Sequence, residues 1–267
     1  MRTLIYLMKS LSRCGGRQYW DKPATGTDGT GIPNELVRAP CRDNNPLQFQ
    51  PDRYTRMRIS FLHTIPANEA VFQNAAILAH WAPEHLRHTI RPDLRQTMEQ
   101  HSPPGKDAQQ LVQQTIMDLA ADADAVIVTC ATLGPVVDAM PPTTVRIIRA
   151  DAALAEAASR AGKNITVLCA VESTIEPNRA LFERHAARTG ARVTVQLLPD
   201  VWPLFVNGDL DACLEACARA AENAYRDGAD VVAFAHPWMG PASERVQGDA
   251  RPLHAAQAAL SAVSAKA

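Results

Sequence analysis

Several common signatures are missing from this chain, and each absence removes a class of function. Charge of one sign is not in excess: Lys and Arg number 27 against 28 Asp and Glu, a formal net charge of −1. Such a balance offers no long-range attraction to nucleic acid or to an anionic membrane surface. No apolar run approaches the roughly 18–20 residues that cross a bilayer. The six cysteines (Cys14, Cys41, Cys130, Cys169, Cys213 and Cys217) show no zinc-site spacing. A chain of 267 residues also buries enough core to fold without disulfide staples. The expectation is a protein of the reducing cytoplasm that uses no metal and binds neither nucleic acid nor membrane.

What is present begins with a contrast. Residues 1–56 cluster Gly, Pro, Asp, Asn and Thr without a sustained period, and bury too little apolar surface to offset chain entropy. They read as a disordered extension or as the product of a start site placed too far upstream. A targeting peptide is the weakest reading, because no small-residue cleavage site follows residues 1–9. From Met57 the text changes to MRISFLHT, an apolar run that reads as a first strand.

The body then alternates short apolar runs with stretches rich in Ala, Leu, Glu and Arg. Strands are expected at 58–63, 85–90, 125–130, 145–148, 165–170, 192–197 and 231–235. Helices are expected near 69–79, 107–121, 152–161, 178–189, 209–226 and 251–265. Nearly continuous apolar strands separated by helices indicate βαβ units with parallel sheets covered on both faces.

One internal repeat carries the functional reading. ADAVIVTCATLGP (residues 123–135) and ADVVAFAHPWMGP (residues 229–241) align without a gap, so that Cys130 is matched by His236 (236 − 130 = 106). Two similar α/β halves follow: residues 57–150 joined by 248–267, and residues 151–247. Each matched residue falls at the carboxyl edge of its sheet, where open α/β sheets bind ligands. If the halves face each other, both side chains look into one cleft.

The residue types suit proton transfer there. A thiol before a helix N-terminus lies near unpaired N–H groups that favour the thiolate and can hold a substrate carboxylate. Gly134 lets the backbone approach a ligand, Pro135 suits a first helical turn, and Thr132 can cap the helix or donate to substrate. Imidazole titrates near neutrality, so His236 can move a proton. A cysteine at a strand end is more often a small hydrophobe, and a buried histidine more often structural. The aligned repeat and the Gly-Pro turn weigh toward chemistry. Cys213 and Cys217, four apart in DACLEACARAAENA, read as core, as does Cys169 in ITVLCA. His80, His85 and His88 in AHWAPEHLRH match no metal-site spacing and read as solvated surface.

VTCATLGP followed by AFAHPWMGP resembles the aspartate/glutamate/hydantoin racemase superfamily, as do the opening MRISFLHT and the mid-chain ESTIEP at residues 172–177. The resemblance implies two pseudo-symmetric Rossmann-like domains with the active site between them; a homodimer is the common expectation for a soluble protein. It implies a cofactor-independent isomerase of amino-acid metabolism that acts on a small carboxylate or amino acid. Cys130 matches the family's first cysteine, with Ala131, Thr132, Leu133 and Gly134 at its carboxylate-holding turn. Ser173 and Thr174 match the mid-chain carboxylate binders. The second cysteine is replaced by His236, with Pro237 and Trp238 lining the same site, and Ala131 replaces a residue that is commonly polar. The family also contains decarboxylases of malonate-like acids and cis-trans isomerases, and a carboxylate-binding protein without catalysis remains a third reading.

Overall fold

The computed structural model describes residues 57–101 and 103–265. The extension expected over residues 1–56, with Cys14 and Cys41, lies outside the described residues. The rest builds two four-stranded parallel sheets within one compact unit.

The first sheet has the order β2 (Leu86–Ile90), β1 (Ile59–His63), β3 (Ala125–Val128), β4 (Arg146–Arg149). The second repeats it with β6 (Arg192–Leu197), β5 (Asn164–Cys169), β7 (Val231–Phe234) and β8 (Leu253–His254). Every residue of β1, β3 and β7 is buried, which is why these strands lack polar alternation. The edge strand β6 instead alternates exposed with half-buried positions, so only one of its faces is covered.

Helices cover the sheets through stripes of small or apolar residues. In α3 (Lys106–Ala120), Ala108, Val112, Ile116 and Leu119 recur at helical spacing and pack with Leu62, Val126 and Val128. In α8 (Leu210–Arg226), Cys213, Cys217, Ala221 and Ala224 let the helix lie close to Leu168, Val232 and Phe234. Cys213 and Cys217 are therefore core residues. A further apolar cluster joins Ile59 and Phe61 of β1 to Ile165 and Val167 of β5 through Ala150, Leu154 and Ala158 of α5 (Ala150–Ala161) and Ala259 and Leu260 of α9 (Ala255–Ser264).

Strands of the first sheet lie within residues 59–149 and those of the second within 164–254. The segment 248–265 holds β8 and α9. Its β8 extends the second sheet beside β7, while α9 packs against α5 and against α1 (Ala67–Leu78). Arg146 of β4 donates to the carbonyls of Ala262, Val263 and Ala265 at the end of α9.

Candidate active site

In each sheet the chain runs outward from the first strand in one direction, then returns to build the other side. The topological switch points therefore lie between β1 and β3 and between β5 and β7, where ligands of open α/β sheets bind. Cys130 and His236 leave the sheets at these two points. Each caps a short 3₁₀ segment in extended backbone, at φ −105°, ψ 120° for Cys130 and φ −105°, ψ 131° for His236. The Leu133 N–H donates to the Cys130 carbonyl at 3.2 Å, and the Met239 N–H to the His236 carbonyl at 3.0 Å. One residue earlier, Thr129 N–H reaches Leu62 O and Ala235 N–H reaches Leu168 O, both at 3.0 Å. The sequence repeat is thus a repeat of backbone hydrogen bonds.

The carboxyl edges of the two halves meet. Ile65, in the turn between β1 and α1, packs into the cluster that contains Trp238 and Met239, and α1 lies against the 3₁₀ segment Pro237–Arg245. Four side-chain atoms are buried without a hydrogen-bond partner among the described residues: Thr64 Oγ1, Asn68 Oδ1, His236 Nε2 and His254 Nδ1. Asn68 lies in α1 and His254 in β8, both of which pack against residues 237–245; His236 directly precedes that segment, and Thr64 lies in the turn before α1. Buried polar atoms normally find partners, so this seam holds unspent hydrogen-bonding capacity.

The selected residues differ in what they offer. Among the described residues the half-buried Cys130 thiol makes no hydrogen bond. Ala131 is exposed and Thr132 half-buried, whereas Leu133 is buried and its N–H is spent on Cys130. The donors left at the turn are the N–H groups of Ala131 and Thr132. His236 is neutral at physiological pH, because burial pulls its pKa down to about 4. Its ring stacks on Trp238 at 5.4 Å. Trp238 is only 4% exposed and stacks in turn on Phe205 at 4.1 Å, so it backs His236 from the core. Ser173 is exposed. Thr174 donates to Val171 O at 2.6 Å, and its oxygen lies 3.1 Å from Cys169 Sγ.

Gly134 has a definite reason. The Arg149 guanidinium lies against it, where any side chain at residue 134 would collide. Arg149 is 10% exposed and pairs with Asp138 and with Asp151, the latter through Nη2 at 2.6 Å. Gly240, the match of Gly134, holds the same relation to His254: a Cβ there would lie 3.1 Å from His254 Nδ1.

The sequence reading missed His63, Arg149 and the role of His88. His88 is not solvated surface: its Nδ1 lies 2.9 Å from Nε2 of the fully buried His63. The spacing of the repeat would have found His63, since 169 − 63 is again 106 and pairs His63 at the end of β1 with Cys169 at the end of β5. Each half therefore carries one His and one Cys beside its switch point, in exchanged order. No group of three or more His, Cys, Asp or Glu is placed to hold a metal among the described residues. A groove of about 430 Å³ lies elsewhere, lined by Thr166, Arg192, Thr194, Gln196 and Asp227. It contains none of these cysteines or histidines.

No protein-family model and no curated protein matches the chain by sequence. Among solved structures, the aspartate racemase of Picrophilus torridus superposes with a TM-score of 0.59 and 13% identity, over 77% of this chain and 91% of that one. The chain has the fold of the aspartate and glutamate racemases. An allantoin racemase from Klebsiella pneumoniae is similar, with a TM-score of 0.56, 16% identity and coverage of 78% and 86%. A glutamate racemase isoform from Bacillus anthracis gives a TM-score of 0.51 at 16% identity, over 79% and 81%. At these identities the likeness concerns the racemase fold, and the chemistry must be argued from the residues.

Proposed function

We propose that this protein is a racemase-type isomerase that moves a proton at the carbon beside a carboxylate or a related carbonyl group, with Cys130 and His236 as its two proton-transfer groups. One observation carries the reading. In a racemase fold, these two residues occupy the same backbone position at the two switch points, with φ equal, ψ within 11° (131 − 120 = 11) and the same closing hydrogen bond.

His236, neutral because burial opposes its charged form, takes the α-proton from one face. The Cys130 thiol gives a proton to the opposite face. The carbanion's charge spreads onto the carboxylate, which the N–H groups of Ala131 and Thr132 stabilise. Imidazolium and thiolate remain, and either the reverse reaction or proton exchange with water resets them. Such an enzyme is asymmetric, with an imidazole serving one face and a thiol the other.

The test is α-hydrogen exchange in deuterium oxide. Purified protein would be incubated with L- and D-amino acids, hydantoins and allantoin, and followed by proton NMR and chiral chromatography. Deuterium entry coupled to inversion of at least one compound is the expected result. A panel without exchange or inversion, while carboxylates still raise the melting temperature, would leave a binding protein instead.

A further inference from the structure

A buried hydrogen-bond chain ends next to Cys130. Gln73 Oε1 lies 2.9 Å from His88 Nε2, His88 Nδ1 lies 2.9 Å from His63 Nε2, and His63 Nδ1 lies 2.9 Å from Thr129 Oγ1. Thr129, the residue before Cys130, donates its hydroxyl to the Leu62 carbonyl at 3.0 Å. The rings are held by packing. Phe61 stacks on His88 at 4.5 Å, and Phe72 of α1 tilts against His63 at 5.6 Å.

The donor order can be read from the closed end. Because the Thr129 proton goes to Leu62, its oxygen can only accept, so His63 Nδ1 carries a proton. His63 is neutral, since burial and then the neighbouring His88 pull its pKa down to about 3. Its Nε2 is therefore bare and accepts from His88 Nδ1–H. Gln73 can meet either form of His88: its amide donates to a neutral Nε2 or, turned over, accepts from a protonated one. From His88 Nδ1 onward every donor points inward, and the last acceptor is a backbone carbonyl. The chain therefore has no outlet toward the thiol, which makes it an anchor and not a proton path.

We infer that His63, through Thr129 and backed by His88, is a positioning residue that fixes the point and direction from which Cys130 leaves the sheet. This rests on the reading of Cys130 as the reactive thiol. The other half supplies the contrast. At the position matching Thr129 stands Ala235, which ties β7 to β5 through its backbone N–H alone. The thiol half thus has a side-chain tether that the imidazole half lacks.

The test compares alkylation of Cys130 by iodoacetamide at neutral pH, read by mass spectrometry of the peptide that carries it, in wild type, Thr129→Val, Thr129→Ser and His63→Phe. Loss of the tether in Thr129→Val and His63→Phe is expected to change the rate about five-fold, the effect of one ordinary hydrogen bond. Thr129→Ser, which keeps the hydroxyl, should restore the wild-type rate. Nitrogen NMR should find His63 as the Nδ1–H tautomer. Wild-type rates in Thr129→Val and His63→Phe, an equal change in Thr129→Ser and Thr129→Val, or an Nε2–H His63 would overturn the assignment. If His63→Phe does not fold, the Thr129 pair decides alone. A wild-type thiol that alkylates no faster than an ordinary thiol would count against the proposed function, while the variant-to-wild-type ratio and the His63 tautomer still test the tether.

Discussion

The two halves of this molecule share a sheet order, a crossover pattern and a set of edge hydrogen bonds, yet they exchange their chemistry. At the end of the first strand stands His63 in one half and Cys169 in the other; at the turn after the third stands Cys130 in one and His236 in the other. The strand-end residues are both enclosed. His63 is bonded to Thr129 and His88. Cys169 lies 3.1 Å from Thr174 Oγ1 and accepts from Asn178 Nδ2 at 3.4 Å. Burial, only partly offset by these bonds, raises the Cys169 pKa, which keeps it a neutral thiol. The turn residues are the ones left unspent: among the described residues the Cys130 thiol makes no hydrogen bond and His236 Nε2 is unpartnered. On the proposed function, position and not residue type separates support from chemistry.

The comparison is broken most severely by removing the turn residues. Cys130→Ala and His236→Ala should each lower inversion by about 10²–10⁴-fold, the usual worth of a general acid or base, while Cys169→Ala should keep most of it; racemisation assays check this. His236→Cys makes both turns thiols. It should keep inversion while losing the contribution of the imidazole to the pH–rate profile.

Acid should weaken both halves, through His63 in one and His236 in the other. Their folded pKa values, about 3 and about 4, lie below the ordinary 6.5. The unfolded chain therefore binds more protons between those values and 6.5. Stability is full above about pH 6.5 and is lost as pH falls toward the folded values. At pH 5 each group should cost on the order of 2 kcal/mol relative to pH 7.5, measurable by urea unfolding at both pH values. His63→Phe should remove its share of that pH dependence.

The fold was legible because periodicity and length report burial. All seven strands expected from apolar runs occur; β1, β3 and β7 stand out because strands buried on both faces lack polar alternation, and β6 because its apolar residues alternate with polar ones. The elements that escaped notice are short or locally contradictory. The strand β8 has two residues, the helix α2 (Pro92–Glu99) has eight, and the helix α7 (Val201–Val206) carries Pro203 among aromatic and β-branched residues. The matched positions of Cys130 and His236 at the two switch points were readable because the repeat aligns them. His88 was not, because its partner lies across the sheet at residue 63 while its sequence neighbours His80 and His85 suggested a surface cluster. Arg149 has no local motif, and its bearing on Gly134 exists only once β4 lies beside β3.

The matched glycines sharpen the comparison at a smaller scale. Gly134→Ala drives a methyl into a guanidinium pinned by two carboxylates, and should destabilise by about 2–3 kcal/mol, toward the upper end for overpacking. Gly240→Ala meets only the edge of His254 and should cost about 1 kcal/mol. Thermal unfolding of the two variants side by side gives the order.

The measurement that most directly tests the opposed Cys–His pair is enantiomer-resolved deuterium exchange in the single variants, on a substrate the wild type inverts. With one group removed, the other can still take and return a proton on its own face. Cys130→Ala should therefore exchange one enantiomer without inverting it, and His236→Ala should exchange only the other. Exchange of the same enantiomer by both variants, or undiminished inversion in either, would contradict the account.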